Sequence, residues 1–411
     1  MPYTAPPPTG QPDPERAERA DALLTAPGAP FAVVRGERGT LEYADGPRTL
    51  REFVETTWAY GDSTFVVAGE RRCTYGEFFA AASALAVRLC ERYGLRPGDR
   101  AVVAMPNLPE WQIAFWAAQL AGLIAVPLDA RWTEGALRPV LDDCEPGVLL
   151  VDEERLGRVA GWARRAGVRV VLFGGEGQLP DGVSVERYED FPAPDPLAAP
   201  PDVEPRPEDD ATILYASGPS GPSGPSGRPR GAVATHLAQA GAALDARYRA
   251  AASALAGGGI PGMGPAPETP VTLPFSHRAA FADFYGAMAA GGTLVLTDAA
   301  GEREGEGDDT EGAGSGTGDA ERMAYDLGPT PVTEFRIAGP SGDPLPAGET
   351  GELWLRGQSL FHGYWRDAAA TAEAFSGGWF RTGDLAVEHE GRITVVARTG
   401  ETGRPDTERL G

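Results

Sequence analysis

Lysine is missing from this 411-residue chain: all 36 basic side chains are arginine. The pattern reads as a coding bias, but it also excludes any catalytic amine and any compact ammonium contact to a phosphate. Positive charge is scarce overall, with 36 basic against 59 acidic residues, a net charge of -23 and a pI near 4.6. A nucleic acid or an anionic membrane needs clustered cations to displace its counterions, so both are excluded as partners. Cysteine is scarce too. Cys73, Cys90 and Cys144 lie far apart in apolar or helical surroundings, which excludes a disulfide framework or a metal site and fits a reducing cytoplasm. Long apolar runs are absent: Ile113 to Leu128 is interrupted by Gln119, Gly122 and Pro127 and falls short of the roughly 20 residues of a membrane span. The opening MPYTAPPPTGQPDPERAERAD places prolines and charges where a secretory signal needs an apolar core.

What is present is ordinary for a globular protein, 42% apolar and 23% charged, in a chain long enough for two or three compact units. Thr74 and Glu77 form a capping box, and Phe78, Ala82, Leu85, Ala86 and Leu89 recur at helical spacing before Gly94. A strand Ala101 to Met105 follows, then a helix capped by Asn107 and a strand Leu123 to Leu128. Strands Val148 to Val151 and Val168 to Phe173 bracket a helix over 153–166. Such alternation predicts a doubly wound α/β fold, its parallel sheet covered on both faces. The segments divide as a lead-in 1–48, a first α/β subdomain 49–191, an acidic proline-rich connector 192–210, a second α/β part 211–298, an acidic glycine-rich tether 299–329, a small β-rich subdomain 330–398 and a tail 399–411.

Within the second part, the strand Ala211 to Tyr215 feeds a Ser/Gly loop that repeats Pro-Ser-Gly three times and ends in Arg228-Pro-Arg-Gly231, with a helix expected from about Val233 to Ala256. Strand, loop and helix together suit an anion, because free backbone N–H groups can close on it. No Gly-Lys-Ser or Gly-Lys-Thr follows, so this is not a Walker loop. The β-rich part carries Gly351-Glu-Leu-Trp-Leu-Arg-Gly357, Gly363-Tyr-Trp, Thr371-Ala-Glu-Ala-Phe375 and Gly378-Trp-Phe-Arg-Thr-Gly-Asp-Leu385.

These motifs, in this order and spacing, resemble the N-terminal domain of adenylate-forming, AMP-binding acid:CoA ligases, with similarity beginning near Ala26. The resemblance implies phosphate binding by Ser223, Gly224, Ser226, Gly227 and Arg230, although Arg230 stands where the family has lysine and Pro225 replaces a hydroxyl residue. A loop loosened by repeat slippage is the alternative. Asp384 would accept hydrogen bonds from the ribose hydroxyls, where composition alone suggests a turn aspartate after Gly383. Arg398 would add a nucleotide contact or else lie solvated, and Ala397 replaces the hinge acid. His236, of the Thr-His pair opening the next helix, and His277, in Leu273-Pro-Phe-Ser-His277, would serve the acid pocket, His277 equally well being structural. His362 and His389 match nothing and read as surface residues.

The same resemblance implies ATP, Mg²⁺ and CoA as cofactors and a small-molecule carboxylic acid as substrate. It also implies parts that this sequence lacks. The tether replaces the adenine platform and the Tyr-Gly-x-Thr-Glu run whose Glu holds Mg²⁺; Thr333-Glu334 reads as ordinary strand instead. The family's lysine-bearing mobile domain would begin where this chain stops. No catalytic residue and no metal ligand is therefore assigned. Two readings stay open: an acid-activating ligase, or an impaired pseudoenzyme that binds nucleotide, acyl ligand or an intact paralogue, its exposed sheet edges favouring self-association.

Overall fold

The computed structural model describes residues 14–37, 39–197, 199–215, 229–297, 330–389 and 392–398. Its central sheet has eight strands in the order Gly363–Tyr364, Gly231–Thr235, Asp210–Tyr215, Ile124–Pro127, Arg100–Ala104, Val148–Asp152, Arg169–Phe173 and Val185–Arg187. From Asp210–Tyr215 to Val185–Arg187 every neighbour is parallel, as the strand and helix alternation predicts. Side chains alternate faces along each strand. Ala101 and Val103 enter one apolar cluster, with Trp111, Phe115 and Phe284, while Val102 and Ala104 enter another, with Leu137, Val140 and Leu156. Both faces are thus covered.

The local signals behave as their chemistry demands. Thr74 and Glu77 form the reciprocal cap of the helix Tyr75–Val87, and Asp152 caps Glu153–Ala166, which ends on Gly167 at φ 67°. The helix Pro109–Leu120 buries nearly every residue, so it lacks the polar stripe of a surface helix. Asn107 does not cap it. Leu108 occupies that position with no side-chain cap, and Asn107 instead donates from Nδ2 to the Leu273 carbonyl and accepts from the Phe275 amide, both at 2.8 Å.

A second, four-stranded sheet runs Glu268–Val271, Thr293–Leu296, Thr64–Ala68, Arg71–Thr74, the first three parallel and the last antiparallel. It joins strands from both sides of the proline-rich connector, so the sheets cross the segment boundaries that the sequence marks. The N-terminal lead-in is likewise built in. Helix Pro14–Thr25 and the hairpin Val33–Arg35 with Leu41–Tyr43 place Leu24, Phe31 and Tyr43 against Leu244 and Tyr248 of the helix His236–Ala256. The β-rich part is an antiparallel sheet of five strands, Thr333–Ala338, Thr350–Gly357, Trp379–His389, Phe375–Ser376 and Arg392–Arg398. Residues 299–329, expected as a tether, lie outside the described residues.

Candidate functional site

The expected strand, loop and helix is corrected by the structure. Gly231–Thr235 is a strand antiparallel to Asp210–Tyr215, and the helix begins only at His236, with Thr235 as its cap. The Ser/Gly loop therefore joins two paired strands and no helix N-terminus stands at its end. Val233 and Ala234, helix-compatible by composition, are held extended because Gly363–Tyr364 pairs with their outer edge, His362 N donating to the Val233 carbonyl at 2.9 Å and Trp365 N to the Gly231 carbonyl at 2.8 Å. Ser223, Gly224, Ser226 and Gly227 lie outside the described residues.

Arg230, at the foot of this hairpin, has its guanidinium 5.5 Å from the Tyr364 ring and 4.0 Å from a Glu373 carboxylate oxygen. Its Nε is buried and finds no partner among the described residues. The opposite foot is fixed by the Tyr215 hydroxyl, which donates to Asp143. Trp365 adds a staple, its Nε1 donating to the Asp143 carbonyl at 3.3 Å with Arg100 and Arg366 beside its ring at 5.6 and 5.4 Å.

Asp384 sits in Trp379–His389 at a wide bulge. Glu352 pairs with Leu385 and Trp354 with Arg381, so Leu353 alone faces Thr382, Gly383 and Asp384. Two extra residues keep the side-chain parity, which puts Thr382 and Asp384 on the buried face at 3% and 2% exposure. Gly383 takes φ 74°, a conformation that side-chain-bearing residues rarely adopt. The Thr382 hydroxyl donates to the Leu353 carbonyl at 2.8 Å and accepts from the Asp384 amide at 3.1 Å. Arg398 is the residue paired with Asp384 on the next strand.

Packing brings these two regions together. Leu353, Phe380 and Ala386, flanking Asp384 on its buried face, form one apolar cluster with Ala234 and Ala238, on either side of the strand-to-helix junction that follows the loop. The result is a desolvated carboxylate, a cation at a loop foot and an adjacent arginine position, a combination suited to a sugar phosphate.

The two histidines assigned to an acid pocket are placed differently. His236 is fully buried. Its Nδ1 accepts from the Leu50 amide at 3.3 Å, its Nε2 finds no partner among the described residues, and burial pushes its pKa down to about 4 against a weaker opposing pull from Asp209 and Asp210. The ring is closed off from solvent. His277 caps the helix Arg278–Ala289, its Nδ1 accepting from the Ala279 amide at 3.3 Å, and it lies near enough to help lower the Asp129 carboxyl. Burial alone would raise Asp129; the bonds from Arg131 outweigh it. Asn107 ties Leu273 and Phe275 to the start of the helix Pro109–Leu120. Asn107→Ala is expected to lose about 1–2 kcal/mol, read as a lower urea midpoint, since two backbone groups lose their partner; an unchanged midpoint would show that water replaces the side chain without loss.

Glu334 is a strand residue bound through both carboxylate oxygens to Arg356 at 2.8 Å, as its position in the sequence implies. His362 is surface-exposed but paired, its Nε2 lying 2.8 Å from Asp210. Among the described residues no three His, Cys, Asp or Glu side chains converge. Sequence reasoning missed Thr382 and Glu352 as supports of Asp384. Their signal was the spacing of Gly351-Glu against Thr-Gly-Asp, legible only once the two strands are paired.

Known proteins share this fold. Residues 53–307 match the family described as AMP-binding enzyme. A feruloyl-CoA synthase from Amycolatopsis sp is 30% identical over 395 aligned positions, covering 82% of this chain and 75% of the relative. Those positions exceed what 82% of this chain can supply, so the relative carries residues that this chain skips. An indoleacetate–CoA ligase from Aromatoleum aromaticum is 39% identical over 85 residues, 20% of this chain and 17% of the relative. Among solved structures, the luciferase-like enzyme of the mealworm Zophobas morio superposes with TM-score 0.67 at 16% identity, over 90% of this chain and 100% of that one. The o-succinylbenzoate CoA synthetase of Bacillus subtilis superposes with TM-score 0.59 at 18% identity, over 84% and 98%. No helix of the described residues is long and apolar enough to cross a membrane.

Proposed function

This chain belongs to the AMP-binding enzyme family, and from that premise we propose that it uses ATP to activate a small-molecule carboxylic acid. The carboxylate oxygen attacks the α-phosphorus, the bond to the bridging oxygen breaks and pyrophosphate leaves. The sulfur of CoA or of a carrier thiol then attacks the acyl carbonyl and AMP departs. One observation carries this reading beyond family membership: Asp384 is held by a two-residue bulge on the face that packs against the junction following the Ser/Gly loop. In this reading Asp384 binds the ribose hydroxyls, Arg398 contributes a further nucleotide contact, and Arg230 binds the phosphates together with Ser223, Gly224, Ser226 and Gly227.

Arg230 stands where the family has lysine, so in this reading it meets the phosphates with a planar fork instead of a compact ammonium. Arg230 in place of the family's lysine and the residues that the relative carries and this chain skips favour a second reading, in which the chain binds a nucleotide, an acyl ligand, an intact paralogue or a second copy of itself without turnover. ATP–pyrophosphate exchange with Mg²⁺ and a panel of fatty, aryl and short carboxylic acids separates the two. Exchange above the acid-free blank is the expected result; no exchange beside a working relative, with nucleotide still bound, leaves the second reading.

A further inference from the structure

The outer face of the terminal sheet carries a ladder of arginine and tryptophan. Arg356 and Arg336 lie 4.5 and 4.2 Å from the Trp379 ring, and Arg336 and Arg381 lie 5.9 and 5.8 Å from the Trp354 ring. The ladder ends on Glu352. One of its oxygens, Oε2, accepts from Trp354 Nε1 at 3.0 Å and from Arg381 Nε and Nη2 at 3.2 and 3.1 Å. An Arg–Glu pair with Arg381 45% exposed contributes little by itself. What sets Glu352 apart is its other oxygen. Oε1 accepts from the Gly383 amide at 3.2 Å, at the point where the bulge interrupts the register between the two strands.

We propose that Glu352 is a positioning residue for nucleotide binding. By holding the Gly383 amide from the outer face, while Thr382 holds the Asp384 amide from the inner one, it fixes the bulge that aims the Asp384 carboxylate. Reach, not charge, is what the role requires: glutamate spans the bulge from its own strand, and aspartate is one methylene too short. The inference rests on the reading of Asp384 as the ribose contact.

The test compares AMP with 2′,3′-dideoxy-AMP on the full chain, by calorimetry at fixed salt. The ratio of the two affinities reports the ribose contact alone, whereas a purely structural loss lowers both affinities together and leaves the ratio unchanged. Glu352→Asp keeps the charge beside Arg381 but gives up the Gly383 bond, and is expected to shrink the ratio about tenfold, the worth of one well-placed hydrogen bond to a charged group. Glu352→Gln keeps the reach and an acceptor, and is expected to retain most of the ratio. A wild-type ratio in Glu352→Asp, or an equal fall in Glu352→Gln, overturns the proposal while Asp384→Asn still collapses the ratio. A ratio near one in the unmodified chain overturns the Asp384 reading and this inference with it.

Discussion

Replacing Asp384 with alanine is expected to weaken AMP binding about 100-fold, and with asparagine about tenfold, since hydrogen bonds to a charged group are worth roughly 1.5–3 kcal/mol each. The size follows from burial. At 2% exposure the carboxylate is shielded from water, so bonds to two ribose hydroxyls are not diluted by competing solvent. Asparagine keeps the shape and one acceptor oxygen but not the charge, which is why its loss should be smaller. Because the bulge is held through the backbone, Thr382 and Glu352, both variants should keep an unfolding free energy in urea within about 1–2 kcal/mol of the parent. Calorimetric titration with AMP gives the affinity directly. A dissociation constant that does not move in either variant would remove Asp384 from the nucleotide site.

The second large effect concerns acid stability and centres on His236. Burial lowers its folded pKa to about 4 from an ordinary value of 6.5. Above pH 6.5 both folded and unfolded chains hold it neutral and it has no effect on the balance. As pH falls below 6.5 the unfolded chain takes up a proton that the folded chain refuses, so stability drains away until about pH 4, where the folded ring protonates as well. At about 1.4 kcal/mol per unit, this amounts to roughly 3 kcal/mol across the window. His236→Asn, whose Oδ1 can accept from the Leu50 amide in place of Nδ1, should lower stability at pH 7 yet make the decline from pH 6.5 to 4 shallower by about that amount. Urea midpoints at three pH values in both proteins measure it. Parallel declines would show that the ring is protonated in the fold, or solvated.

Elements set by short-range chemistry were legible in the residues. The Thr74 and Glu77 cap, the helix Glu153–Ala166 between Asp152 and Gly167, and the parallel order of the first strands follow from capping side chains and apolar periodicity, which act within a few residues. Two expectations failed where a distant segment competed. Asn107 has the chemistry of a helix cap, but Leu273 and Phe275 offered it two backbone partners at once. Gly231 to Thr235 could enter a helix, but Asp210–Tyr215 on one side and Gly363–Tyr364 on the other satisfied its backbone as a strand.

The sequence by itself determined the α/β class, membership of the AMP-binding family and the motif spacing that singles out Asp384, because each is written in residue identity and spacing. Only the tertiary structure decided that His236 is sealed in the core, that Arg230 rests on Tyr364, and that Asp384 is buried on a bulge held by Glu352 and Thr382. Those facts depend on which backbone edges pair across more than a hundred residues, or on how many residues of one strand face one of another. Neither is set by local propensity; both are set by which arrangement leaves the fewest buried polar groups unpaired.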